Sequence, residues 1–137
     1  AIETADNDRI LEMFKRFNME TGCAVYEWKN SHGLNRVGFE HIFIPKTKSP
    51  KEIIKYILNA RHFGIYLLFD YGRHLDDKET EEILSKIALK NDGIRRLVVF
   101  IDTNIHFSDR LKSMSVKIQH TKPSKRTRPA PVAVING

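Results

Sequence analysis

Two short apolar runs limit the folds open to this chain more than any other feature. Gly64 to Asp70 reads Gly-Ile-Tyr-Leu-Leu-Phe-Asp, and Arg96 to Asp102 reads Arg-Leu-Val-Val-Phe-Ile-Asp. Each is strand-sized, almost unbroken in its apolar character, and closes on an aspartate. A strand with one wet face alternates apolar and polar side chains. A strand apolar throughout is covered on both faces, as central strands of parallel sheets are. Helical patterns precede each run, as parallel pairing requires of its crossover connections. Ser49-Pro50-Lys51-Glu52 offers a serine cap, proline at the first helical position and glutamate three residues after the cap, with Ile53, Ile57 and Ala60 on one face. Asp76 or Asp77 caps the next helix, in which Ile83, Leu84, Ile87 and Ala88 face inward, and Asn91-Asp92-Gly93 ends it.

The flanks extend this alternation. Ala1 to Thr4 reads as the end of a first strand, and Asp6 or Asn7 caps a helix carrying Ile10, Phe14 and Phe17 on its inner face until Thr21-Gly22. Cys23 to Trp28 is a strand, with Tyr26 and Trp28 read as core side chains. Lys29 to Lys48 reads as a long loop with one edge strand at Ile42-Phe43-Ile44. A short helix from Ser108 to Met114 leads to a last strand, Val116 to His120. The expected fold is α/β, a three-layer α/β/α arrangement around a mostly parallel sheet of about five strands, in one domain spanning residues 1–120.

Charge sets residues 121–137 apart from that domain. The net charge is +6, but Lys122, Lys125, Arg126 and Arg128 supply +4 of it within residues 121–137, where no acid occurs. The first 120 residues are close to neutral. Residues 121–137 therefore read as a flexible, basic, proline-containing tail, able at most to hold nucleic acid weakly and without sequence preference. No apolar run approaches the length that crosses a membrane, so no membrane partner is expected. The single cysteine, Cys23, has no internal disulfide partner, and no leader-like pattern opens the chain, so a cytoplasmic setting is the expectation.

Ligands of open parallel sheets gather beyond the carboxyl ends of the strands. The side chains expected there are Glu3 and Thr4, Glu27 and Trp28, Asp70, and Asp102 with Thr103 and Asn104. Ile65 to Asp70 resembles a Walker B strand, several apolar residues ending in aspartate. Leu97 to Asn104 is similar to the sensor strand of AAA ATPases, and Phe107-Ser108-Asp109-Arg110-Leu111 resembles the segment after it. Thr4, Asp6, Arg9, Val25-Tyr26-Glu27-Trp28 and Gly33-Leu34 look like the degenerate N-terminal RecA-like domain that precedes the motor in a chloroplast and cyanobacterial type of AAA ATPase. The resemblance covers Ile2 to His120. It implies an accessory or regulatory domain whose partners are its own motor domain or other protein subunits.

One departure bears directly on activity. A phosphate-binding loop needs glycines that turn backbone amides toward the phosphates, a lysine, and a Ser or Thr for magnesium. The segment between first strand and first helix reads Glu3-Thr4-Ala5-Asp6-Asn7-Asp8-Arg9, with no glycine, no lysine and three carboxylates. Tyr71 stands where a glutamate would polarise the attacking water. No cofactor or catalytic residue is expected on this reading. The alternative is a metal-dependent nuclease or nucleic-acid-binding α/β domain. There Asp70, Asp102, Asn104 and Glu27, the last within Glu27-Trp28-Lys29, would gather magnesium at the strand ends.

Overall fold

A computed structural model describes residues 2–3, 7–39, 42–103, 105–113, 115–120 and 130–136. The elements run β1 (Ile2–Glu3), α1 (Asn7–Thr21), β2 (Val25–Lys29), β3 (Gly33–Arg36), β4 (Phe43–Ile44), α2 (Pro50–Asn59), β5 (Gly64–Phe69), α3 (Lys78–Leu89), β6 (Arg96–Asp102), α4 (Asp109–Lys112), β7 (Ser115–His120) and β8 (Ala130–Asn136). Strand order across the sheet is β4-β3-β2-β5-β6-β8-β7, with β1 also paired to β6. The core is parallel, as the apolar runs require: β2 pairs β5, β5 pairs β6, and β1 pairs β6 in parallel.

Helices cover both faces. Trp28, Tyr66, Leu68, Val98 and Phe100 pack with Ile53, Ile57, Leu84 and Ile87 of α2 and α3. On the other face Val25, Ile65, Leu67, Phe69, Val99 and Ile101 meet Ile10, Leu11 and Phe14 of α1. Every residue of β5 is buried. The caps are those expected. Ser49 accepts from the Glu52 amide while Glu52 accepts from the Ser49 amide, Asp77 accepts from Thr80, and Ser108 accepts from Leu111. Gly22, at a φ of 73°, ends α1 with its amide bonded to Asn18 O, a conformation that costs glycine no Cβ clash. Phe17, expected inside, is 40% exposed.

Three expectations change. The long loop after β2 contains a second strand: β3 pairs antiparallel with β2, Trp28 opposite Leu34, and β4 pairs with β3. The last strand of the domain, β7, is not a parallel core strand. It lies at the sheet edge, antiparallel to β8. Residues 121–137 are not all tail, because Ala130–Asn136 inserts between β6 and β7, antiparallel to both. Its Val132-Ala133-Val134-Ile135 run is rich in the β-branched residue types that a solvated extension lacks. The four basic residues Lys122, Lys125, Arg126 and Arg128 lie outside the described residues, as do Thr4, Asp6, Asn104 and Met114.

Candidate functional site

The carboxyl ends of β5 and β6 adjoin a hollow of about 490 Å³ lined by Asp70, Gly72, Arg73, Asp76, Asp102 and His106. Asp70 and Asp102 are thus brought together, as neighbouring strand ends dictate. Their local roles differ. Asp70 is exposed and its backbone is left-handed, φ 55°, a conformation that aspartate tolerates better than most side chains. Its amide still bonds to Ile101 O, which holds the turn against β6. Asp102 is half-buried and fully engaged. One carboxylate oxygen accepts from the Gly72 amide at 2.9 Å and the other from the Thr103 amide at 2.7 Å. It thereby ties the 3-10 turn at Gly72–His74 to the end of β6.

Glu27 is elsewhere. It stands opposite Leu67, in mid-sheet, on the α1 face. Asn35 Nδ2 donates to its Oε1 at 3.2 Å, while Oε2 is buried and has no hydrogen-bond partner. Glu27 therefore does not join Asp70 and Asp102, and the grouping of these acids around one magnesium in the alternative reading fails on strand register. Glu3 aligns with Asp102 in the β1–β6 pairing. Among the described residues, no three His, Cys, Asp or Glu side chains come together as metal ligands.

Tyr71 decides what the strand end can do chemically. It is fully buried, and its hydroxyl donates to Pro50 O at 2.6 Å. Its ring meets Trp28 and His74 edge-on and Phe100 at a tilt, with centroids 5.3–5.6 Å apart. Burial pushes its phenol well above the ordinary tyrosine value, with the Asp77 charge adding to the shift and a Thr80 hydrogen bond opposing it. The side chain following the Walker-B-like aspartate is thus a rivet between β5 and the start of α2, with no access to water. His74 packs on it, with Nε2 buried and unpartnered, and burial holds its imidazole below the usual histidine range, helped by Arg73 and opposed by Asp102. Trp28 is also core: its Nε1 donates to Thr47 O at 2.6 Å.

Sequence reasoning missed two groupings. Arg96, at the start of β6, is 1% exposed and grips Asp92 through two bonds, Nη1 to Oδ1 at 3.0 Å and Nη2 to Oδ2 at 2.9 Å. It also donates to Ile94 O and to Ala60 O at the end of α2. An arginine pair opening an apolar strand, its second member four residues after an aspartate, was the available signal. The second grouping is a cleft of about 720 Å³ at the opposite, amino-terminal end of the parallel strands, where Tyr26, Tyr56 and Tyr66 converge beside Lys46 and Arg61. These five residues are scattered over 41 positions of sequence, which conceals their convergence.

No helix among the described residues is long and apolar enough to cross a membrane. No curated protein and no solved structure matches the chain. A family model described as the N-terminal domain of SpoVK-like AAA ATPases matches residues 1–120, from β1 through β7. The parallel core, the Walker-B-like and sensor-like strands at its centre and this match agree. The chain belongs to the family of N-terminal domains of SpoVK-like AAA ATPases.

Proposed function

We propose that this chain is a non-hydrolysing accessory domain that regulates or couples an AAA ATPase through contacts with its own motor domain or with other protein subunits. The observation that carries the proposal is Tyr71. In-line attack on a γ-phosphate needs a polar group to orient water at the strand end, and here that position is a buried phenol bonded to a helix carbonyl. The surroundings point the same way. The adjoining hollow sets Asp70, Asp76 and Asp102 against Arg73, and the sequence from Glu3 to Arg9 carries three acids where a triphosphate needs backbone donors and a lysine.

The test is a magnesium-dependent ATPase assay with a parallel nucleotide-binding titration on the full chain. No turnover and no saturable ATP binding are expected. Turnover abolished by Asp70→Asn would refute the proposal. Adding the chain to a motor from the same kind of ATPase, and measuring the motor's own turnover, addresses the regulatory half; a rate indifferent to saturating chain argues against coupling.

A further inference from the structure

The tyrosine cleft lies at the other end of the sheet from the strand-end hollow. Tyr26 of β2 and Tyr66 of β5 are register partners and stack, centroids 5.2 Å apart and planes 12° from parallel. Tyr66 is 2% exposed and can lie flat only because residue 64 is glycine. A Cβ there would come within 2.9 Å of its ring carbon and hydroxyl. Tyr56 of α2 closes the group, and no protein group hydrogen-bonds any of the three hydroxyls among the described residues. Burial is the main cause holding the Tyr56 and Tyr66 phenols above their ordinary range, so these remain proton donors at neutral pH.

Cations ring this donor set. Lys46 and Arg61 are exposed and pair with no acid among the described residues. Lys55 is shared with Glu79 at 3.5 Å. Among the described residues the one acid lining the cleft is Glu52, one oxygen of which accepts in the cap of α2. The cleft thus presents hydroxyl and cationic donors with almost no competing acceptor charge. A guanidinium fork and phenol donors suit carboxylate oxygens. The alternative polyanion, single-stranded nucleic acid, is held by stacking bases on exposed aromatic faces. Here Tyr66 is buried and covers one face of Tyr26, so the half-buried Tyr26 and Tyr56 hydroxyls, more than open ring faces, are on offer.

We infer that this cleft is the docking site for an acidic peptide segment of a protein partner, its carboxylates held by Lys46, Arg61 and the half-buried Tyr26 and Tyr56 hydroxyls. The inference rests on the proposed role in protein contacts and names the partner chemistry for it.

Fluorescence anisotropy with the full chain tests it, using a labelled short peptide of alternating glutamate and tyrosine. A lysine-for-glutamate version and a labelled oligothymidylate of equal length serve as comparisons. The acidic peptide should bind saturably, and better than both comparisons. Reversing the charges in Lys46→Glu/Arg61→Glu should weaken it about tenfold or more, the scale of one or more lost charge-assisted bonds. Tyr56→Phe, which deletes one hydroxyl and leaves the ring, should weaken it a few-fold with an unchanged melting temperature. Absence of saturable acidic-peptide binding, equal affinity in the charge-reversed variant, or tighter binding of oligothymidylate would each overturn the inference. The accessory-domain proposal is judged separately, since ATPase and ATP-binding measurements on the same preparation do not involve the peptide.

Discussion

Asp70 and Asp102 are adjacent carboxylates with different burdens, and substitution should separate them. Asp70 contributes chiefly a tolerated left-handed backbone at φ 55°. Asp70→Asn should leave stability nearly unchanged, and Asp70→Ala should cost about 1 kcal/mol, because alanine lacks the short polar side chain that eases that conformation by local hydrogen bonding. Asp102→Ala strips acceptors from the Gly72 and Thr103 amides and should cost about 1–3 kcal/mol in denaturant unfolding. A reversed order of the two alanine variants would contradict this division. The Arg96–Asp92 grip is stronger. Arg96→Leu removes the partner of the Asp92 carboxylate and the donor to Ala60 O, and a lower melting temperature is expected. Arg96 holds the Asp92 carboxyl well below the usual carboxylate range. A depressed folded-state value means stability that is present above the unfolded carboxylate value of about 4 and is lost as pH falls below it. Acid titration of the melting temperature should therefore show a drop beginning near pH 4 that is smaller in Arg96→Leu.

Elements whose fold is dictated locally were legible from sequence. The cap of α2 is one case, and Ser49→Ala should cost about 1 kcal/mol by thermal or chemical melting. Loss of Glu52 as well should add little, because the two bonds form one reciprocal motif. The apolar runs of β5 and β6 were equally plain, since burial on both faces leaves its mark on every residue. What stayed hidden depends on pairing. Gly33-Leu34-Asn35-Arg36 carries one strongly apolar residue and becomes β3 only because β2 lies alongside, with Leu34 opposite Trp28. Glu27 looked like a strand-end acid because its position within β2 was unknown. The burial of Trp28 places its neighbour on the opposite face, under α1, and Lys29 two residues on ends the strand. Gly64 is a further instance. In sequence it merely opens a strand, yet Gly64→Ala should displace the Tyr66 ring and lower the melting temperature, an effect that Tyr66→Leu in the same chain should largely relieve.

The whole sheet depends on a segment beyond the family match. With β8 in place, residues Leu97 to Phe100 of β6 have partners on both sides and β7 has one. Deleting residues 121–137 would bare the backbone edge of a central strand and leave β7 unpaired. A lower melting temperature and concentration-dependent self-association by sedimentation are expected, since an uncovered edge invites intermolecular pairing. An unchanged, monomeric truncation would show that β8 adds nothing to the sheet. Tyr71 has a consequence at this scale too. Restoring a glutamate there would place a carboxylate among Trp28, Phe100 and His74 and cut the bond to Pro50. The new acid would lie beneath the floor of the strand-end hollow instead of facing it. Under the accessory-domain proposal, idleness toward ATP is bound up with what keeps the molecule folded. On that proposal, a change at Tyr71 would loosen its hold on the start of α2 before it could bear on hydrolysis.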